Sequence, residues 1–286
     1  AVVRAAPLAT PWRVVLIGDG LGALLESTTL ACLNEPPDFD FTWIRPGKLT
    51  WPWWNHYLFD AVRTEPILSV ASARKHLDWC AANGIAYHAI VADETDTPWY
   101  PQGRRGLFPD AAADPTRARD DFDLAAIRAL ADERGVGLWT WIHHAALRGR
   151  VEATFAALAR LGWRGVMVDL LDPDDQPTVE FAEEVLRAAA RHRVLVHFHG
   201  MYKPTGWERT FPHLMNHEGS LNLEYLKWSA SCTPEHTLRV VFTRMLAGPM
   251  DYHLGGFRAA LPAAFAPRTE APLVLGTRGH MLGLYL

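Results

Sequence analysis

The sequence predicts an α/β fold, a (β/α)8 TIM barrel, from three observations. Short apolar runs alternate with amphipathic stretches from about residue 41 onward. Those runs do not alternate strongly in polarity, as expected of parallel strands buried on both faces. A length of 286 residues suits a barrel, which typically needs roughly 250. The alternation also fits an open doubly wound sheet. No Gly-rich phosphate fingerprint follows any strand, however, which weakens the nucleotide-binding version of that fold.

Residues 41–44 read as the first strand, and 69–83 as a helix closed by Gly84, a helix-stopping residue. Residues 86–92 form the next strand. A helix follows over 123–134, with Asp120, Asp121 and Asp123 near its start and Gly135 at its end. Strand 136–142, helix 150–161 ended by Gly162, strand 165–171, helix 178–192 and strand 194–198 continue the rhythm. Beyond residue 200 the pattern loosens around a short strand at 214–217, with a helix at 234–246. Residues 250–253 and 273–275 supply strands seven and eight, and 277–286 starts a last helix. The first forty residues break the rhythm: 12–17 looks like a strand of something else, before the Pro36-Pro37 break.

Composition is that of an ordinary folded domain, 49% hydrophobic and 21% charged, with apolar material for one sizeable core. A net charge of −4 gives no reason to expect nucleic acid or an anionic membrane as partner. The three cysteines have no metal-like spacing, and Cys80 in its Ala-rich helix reads as a small core residue. No run reaches the ~18 apolar residues of a transmembrane helix. Residues 1–10 lack the charged-then-apolar order of a leader peptide. The twelve tryptophans suit either sugar-stacking platforms or plain core filling.

In a barrel the chemistry sits at the C-terminal ends of the strands. Those ends carry Asp93 and Glu94, His143 and His144, Asp169 and Asp172, His197 and His199, Glu218 with Glu224, and Asp251. Two reaction classes use such a set. His197 and His199 alternate along one strand and point to the same side, which suits a metal-assisted hydrolase, although a lone His-x-His is a weak signal. Alternatively, a retaining glycosidase needs one ionised and one protonated carboxyl. Asp169, behind the rigid run Gly165-Val166-Met167-Val168, and Glu224, beside Tyr225 and Trp228, fit that pair. A strand-end Asp is also often a structural hydrogen-bond partner.

At these residues the sequence resembles glycoside hydrolase family 97. The matching stretches are Trp43-Ile44-Arg45-Pro46-Gly47-Lys48 with Trp53-Trp54, the run ending in Asp169, and His199-Gly200. Lys203-Pro204-Thr205-Gly206, Arg209-Thr210, Asn216-His217-Glu218-Gly219 with Glu224-Tyr225, and Phe242-Thr243-Arg244 follow in order. Gly248-Pro249-Met250-Asp251-Tyr252 and Gly276-Thr277-Arg278 complete the set.

The resemblance implies an exo-acting α-glycosidase. The family holds inverting α-glucosidases and retaining α-galactosidase-type enzymes. Asp169 and Gly200 resemble the retaining branch, which implies double displacement with Asp169 as nucleophile and Glu224 as general acid/base. It further implies a calcium ion held by Glu218 and Glu224, with oxygen ligands suited to that hard cation. The resemblance offers His199, Lys203, Arg209 and Asp93 as substrate-binding residues, each with a structural role as its alternative. Family members are longer, with an N-terminal β-sandwich-like domain and a C-terminal β domain. Residues 1–38 are thus expected to be a linker or remnant of the former, 39–286 the catalytic barrel, and the C-terminal β domain lacking. At least one family calcium ligand comes from the N-terminal domain, so an incomplete calcium site is expected. An oligosaccharide or α-glycoside is the expected substrate, and a periplasmic or secreted location the expected compartment. The alternatives are an α-glucosidase of the same family and a sugar-binding barrel without turnover.

Overall fold

A computed structural model describes residues 10, 12–60, 62–251 and 258–276. Its frame is a six-stranded sheet in sequence order, every neighbouring pair parallel. The strands are β1 (Leu49–Thr50), β2 (Tyr87–Ile90), β3 (Gly137–His143), β4 (Trp163–Asp169), β5 (Leu195–Phe198) and β6 (Leu214–His217). The larger helices are α1 (Val70–Ala82), α2 (Leu124–Glu133), α3 (Val151–Leu161), α4 (Gln176–His192) and α5 (Pro234–Val241).

Side-chain caps fix where these helices begin. Ser69 accepts from the Ser72 amide, Asp123 from Ala126, Asp175 from Thr178 and Thr233 from His236. Such caps satisfy otherwise orphaned first-turn donors, each worth about 1 kcal/mol. The expected stops hold as well, since Gly84, Gly135 and Gly162 all take positive φ, at 64°, 65° and 90°.

Alternation along each strand divides the interior in two. Val166 and Val168 of β4, Val196 and Phe198 of β5, and Leu138 and Ile142 of β3 face the helices. There they bury Leu77 and Cys80 of α1, Ile127 of α2, Phe155 and Leu158 of α3, and Leu186 of α4. Each such fully buried side chain contributes about 1.5–3 kcal/mol of transfer free energy. Trp139, Trp141, Met167 and Leu195 face the other way, into a second cluster with Tyr57, Tyr87 and Ala89. Gly165 makes room there, because a Cβ on it would lie 2.2 Å from Cε2 of Trp139.

Several elements differ from the sequence expectation. Residues 41–44 form a turn instead of the first strand, which is β1. The backbone amide and hydroxyl of Thr42 both donate to Asp40 Oδ1, and the Trp43 indole donates to the Asp40 carbonyl. These local bonds offer the chain an alternative to a ladder. Residues 12–17 are not a strand, and Trp12 and Ile17 are exposed. Helix α5 ends at Val241, short of residue 246, where the Thr243 hydroxyl donates back to the Arg239 carbonyl. Val274–Leu275 pairs with Ala259–Ala260 in a separate two-stranded sheet. Met250 makes one parallel bridge to His217 beyond β6. Tyr252 and His253 of the expected seventh strand, and the expected helix 277–286, lie outside the described residues.

Candidate active site

The register of the sheet stacks inward-facing residues in layers. Trp141 is the lateral partner of Met167, Met167 of His197, and His197 of Asn216. One layer nearer the C-terminal ends, His143 is level with Asp169. Two further ladder bonds, from the His199 amide to the Val168 carbonyl and from the Glu218 amide to the Phe198 carbonyl, carry the ladder past β5 and β6. That brings His199 and Glu218 alongside Asp169. A cleft of about 1410 Å³ opens over these layers, lined by Asp169, His197, His199, Glu218, Glu224 and Asp251 among others.

Asp169 is held by three donors. Trp141 Nε1 lies 2.7 Å from its Oδ2, and the Leu170 amide 2.6 Å from its Oδ1. His199 Nδ1 lies 3.0 Å from the same Oδ1. Burial alone would raise this carboxyl's pKa, but the His199 charge and the hydrogen bonds outweigh it and hold Asp169 below the ordinary value. In turn, burial disfavours the imidazolium, yet Asp169, Glu218 and Glu224 hold His199 well above its ordinary value. Asp169 is thus the ionised partner of a cationic imidazole.

The other carboxyls move the opposite way. Glu218 is buried and pushed up to about 7, by burial first and by neighbouring Glu224 and Asp251 against the pull of His199. Its Oε2 accepts from the Gly200 amide at 2.9 Å, while Oε1 is buried with no hydrogen-bond partner among the described residues. Glu224 is also raised, by burial and then by Asp169 and Asp251, with His199 and Lys227 opposing. It sits in a 3-10 helix, Leu223–Lys227, whose cap Asn222 donates to the Asp251 carbonyl at 2.7 Å. His199, Glu218 and Glu224 each offer a ligand atom within 4.8 Å of the others, so this group could hold a cation.

His197 and His199 do share one side, as their alternation predicts, but carboxylates engage both. His197 Nε2 lies 3.1 Å from Asp251 Oδ2, and His199 Nδ1 is taken by Asp169. Lys203 lines the cleft from an exposed position. Two expected substrate contacts lie elsewhere. Asp93 closes a turn with Thr95 and Thr97 and pairs with Arg119 at 2.9 Å. Arg209 is exposed and points at Cys32 Sγ, 3.6 Å away. His143 caps a one-turn helix through the Ala145 amide and sits outside the cleft lining, its pKa lowered to about 4 by burial and His144.

Sequence reasoning did not find Trp141 or Lys227. Trp141 lies two residues before His143 on the strand next to Asp169, so strand parity carried its signal. Lys227 is three residues after Glu224, the eclipsed spacing of a 3-10 turn. Its buried ammonium donates to the Trp53 carbonyl at 3.1 Å and lies 3.5 Å from the Trp53 ring centroid. Burial lowers its pKa to about 8.

An ionised and a raised carboxyl facing one cleft are the equipment of the glycoside hydrolase class. The model of the family Glycoside hydrolase 97 matches residues 53–220. A retaining alpha-galactosidase of Bacteroides thetaiotaomicron is 30% identical over 280 residues, 96% of this chain and 40% of that protein. A probable retaining alpha-galactosidase of Streptomyces bingchenggensis is 34% identical over 256 residues, 87% of this chain and 36% of its own length. The chain belongs to glycoside hydrolase family 97, and it spans about 40% of the length of the first of these curated relatives. Among solved structures, a family 97 enzyme from Pseudoalteromonas sp. strain K8 in complex with acarbose superposes with a TM-score of 0.71 at 24% identity. That superposition covers 87% of this chain and 40% of the other. A beta-arabinopyranosidase superposes with a TM-score of 0.65 at 20% identity, over 90% of this chain and 39% of the other. At these identities both show the fold alone.

Proposed function

We propose that the chain cleaves α-glycosidic bonds with retention, through a covalent glycosyl-enzyme on Asp169. The observation that supports this best is the split of two carboxyls facing one cleft, Asp169 held ionised and Glu224 held up toward its acid form. In the first step an Asp169 oxygen bonds to the anomeric carbon as the bond to the leaving oxygen breaks. Glu224 gives that oxygen its proton. In the second step water bonds to the anomeric carbon, Glu224 takes the water's proton, and the Asp169 carboxylate leaves. The names of the two curated relatives support an α-galactoside as the substrate.

The orphaned Oε1 of Glu218, with the Glu224 carboxyl beside it, suits a hard divalent cation, which we assign as calcium held through Glu218, with Glu224 joining it only when ionised. Such an ion supplies positive charge against which sugar hydroxyls can be oriented. We also read the six described strands as part of an eight-stranded barrel. The parallel bridge from Met250 to His217 supports this, because it starts a further strand beyond β6.

The test is hydrolysis of 4-nitrophenyl α-galactoside and α-glucoside with added calcium, followed by proton NMR of the first sugar released. The α-anomer is expected, from the galactoside faster than from the glucoside. First release of the β-anomer would overturn the double displacement. Sugar binding without product would make the chain a binding barrel.

A further inference from the structure

Glu224 does not stand alone on its short helix. A 3-10 turn has about three residues, so side chains three apart eclipse one another. Glu224 and Lys227 therefore form one row, and Tyr225 and Trp228 the next. The first row is turned inward, with Lys227 buried against the Trp53 ring and carbonyl. The second row is turned outward, leaving Tyr225 42% and Trp228 52% exposed. Their rings meet edge to face, with centroids 5.8 Å apart at 85°, and Trp53 continues the chain of rings 6.1 Å beyond Trp228. All three rings line the same cleft as Glu224.

Half-exposed indole next to a catalytic acid needs a reason, since burying such a ring is favourable. Geometry supplies one. A general acid must stand at the leaving oxygen, so neighbours projecting from the same turn into the cleft stand on the leaving-group side. Lys227 fixes this arrangement from beneath by holding Trp53 through both its ring and its carbonyl. A pyranose has one face made largely of C–H groups, which pack on an aromatic face while the hydroxyls stay in water.

We propose that Trp228, with Tyr225 and Trp53, forms a stacking platform for a sugar ring in the leaving group, making the preferred substrate a glycosyl saccharide instead of a simple alkyl glycoside. The proposal rests on Glu224 being the acid that serves the leaving oxygen. It assigns Trp228 to substrate choice and leaves the chemical step to Asp169 and Glu224.

The experiment compares two donors with the same glycone, a 1,6-linked disaccharide and the glycosyl fluoride, which has no leaving-group ring. The galactosyl or the glucosyl pair is used, whichever the chain turns over. In Trp228→Ala the ratio of disaccharide to fluoride kcat/KM is expected to fall roughly tenfold, which is about 1.4 kcal/mol, mostly through KM for the disaccharide. Trp228→Phe, which keeps a ring, should recover most of it. An unchanged ratio in Trp228→Ala would overturn the platform. If the wild-type chain turns over neither donor, the acid/base reading fails instead, and calorimetry of disaccharide binding decides the platform. Weaker binding in Trp228→Ala would then support it, and equal binding would overturn it.

Discussion

Replacing Trp141 by Phe keeps an aromatic ring in the inner wall and removes one of the three donors to a buried carboxylate. A hydrogen bond to a charged group is worth about 1.5–3 kcal/mol. Its loss falls on the ionised form of Asp169, because the protonated form gains little from an N–H donor. With about 1.36 kcal/mol for each pH unit, the acid limb of kcat/KM should move to higher pH by roughly one to two units. Stability should follow the same sign. The folded Asp169 carboxyl lies below its ordinary value, so it contributes stability above the unfolded-state pKa. That contribution is lost as pH falls through the folded one. The variant should therefore lose about 1.5–3 kcal/mol near neutrality, and the gap to wild type should close in acid. The assay is a pH profile of kcat/KM on an activated α-glycoside, paired with urea unfolding at neutral and acid pH. An acid limb that stays in place while stability drops would refute Trp141 as the group that keeps Asp169 ionised.

Three further outcomes follow from the same geometry. Glu224→Gln should cost about 10²–10⁴-fold with saccharide leaving groups but little with a fluoride leaving group. An equal loss on both would count against the acid role. Calcium at about a hundred times its Kd should stabilise the wild-type chain by about 2.7 kcal/mol in thermal melts, and Glu218→Gln should abolish that response. A wild-type melt indifferent to calcium would remove the metal assignment. Gly165→Ala drives a Cβ to 2.2 Å from the Trp139 ring and should cost about 1–3 kcal/mol by overpacking. Unchanged denaturant stability would mean that the inner wall yields more easily than its packing suggests.

Much of this was legible in the sequence because buried parallel strands and capped helices leave local marks. The strand pattern at 214–217 matches β6 to the residue, and the helical patterns match α1 to α4 within two residues at either end. Asp169, His199, Glu218 and Glu224 meet in one cleft as strand-end logic required. Three of the differences depend on a contact made at long range or on a turn competing with a ladder. The apolar run at 41–44 has strand composition, yet Asp40 folds it into a turn. Asp93 has the right position on its strand, but Arg119, 26 residues away, claims it. Arg209 sits in a family-like stretch and still faces Cys32, 177 residues earlier. No periodicity reports partners at such separations.

The two carboxyls are also anchored with unequal firmness. Asp169 ends a seven-residue strand paired on both sides, so moving it means opening the middle of the sheet. Glu224 rides on a five-residue 3-10 turn outside the sheet, held by its Asn222 cap, by Lys227, and by Leu223 and Leu226, which are buried in a core cluster with Trp54 and Leu275. Amide exchange should accordingly be slowest across β4 and faster across residues 223–227, which are packed but lack a two-sided ladder. A nucleophile has one target, the anomeric carbon, and gains from standing still. In the proposed double displacement Glu224 must meet first a departing oxygen and then an arriving water, and a mount outside the ladder suits that double duty.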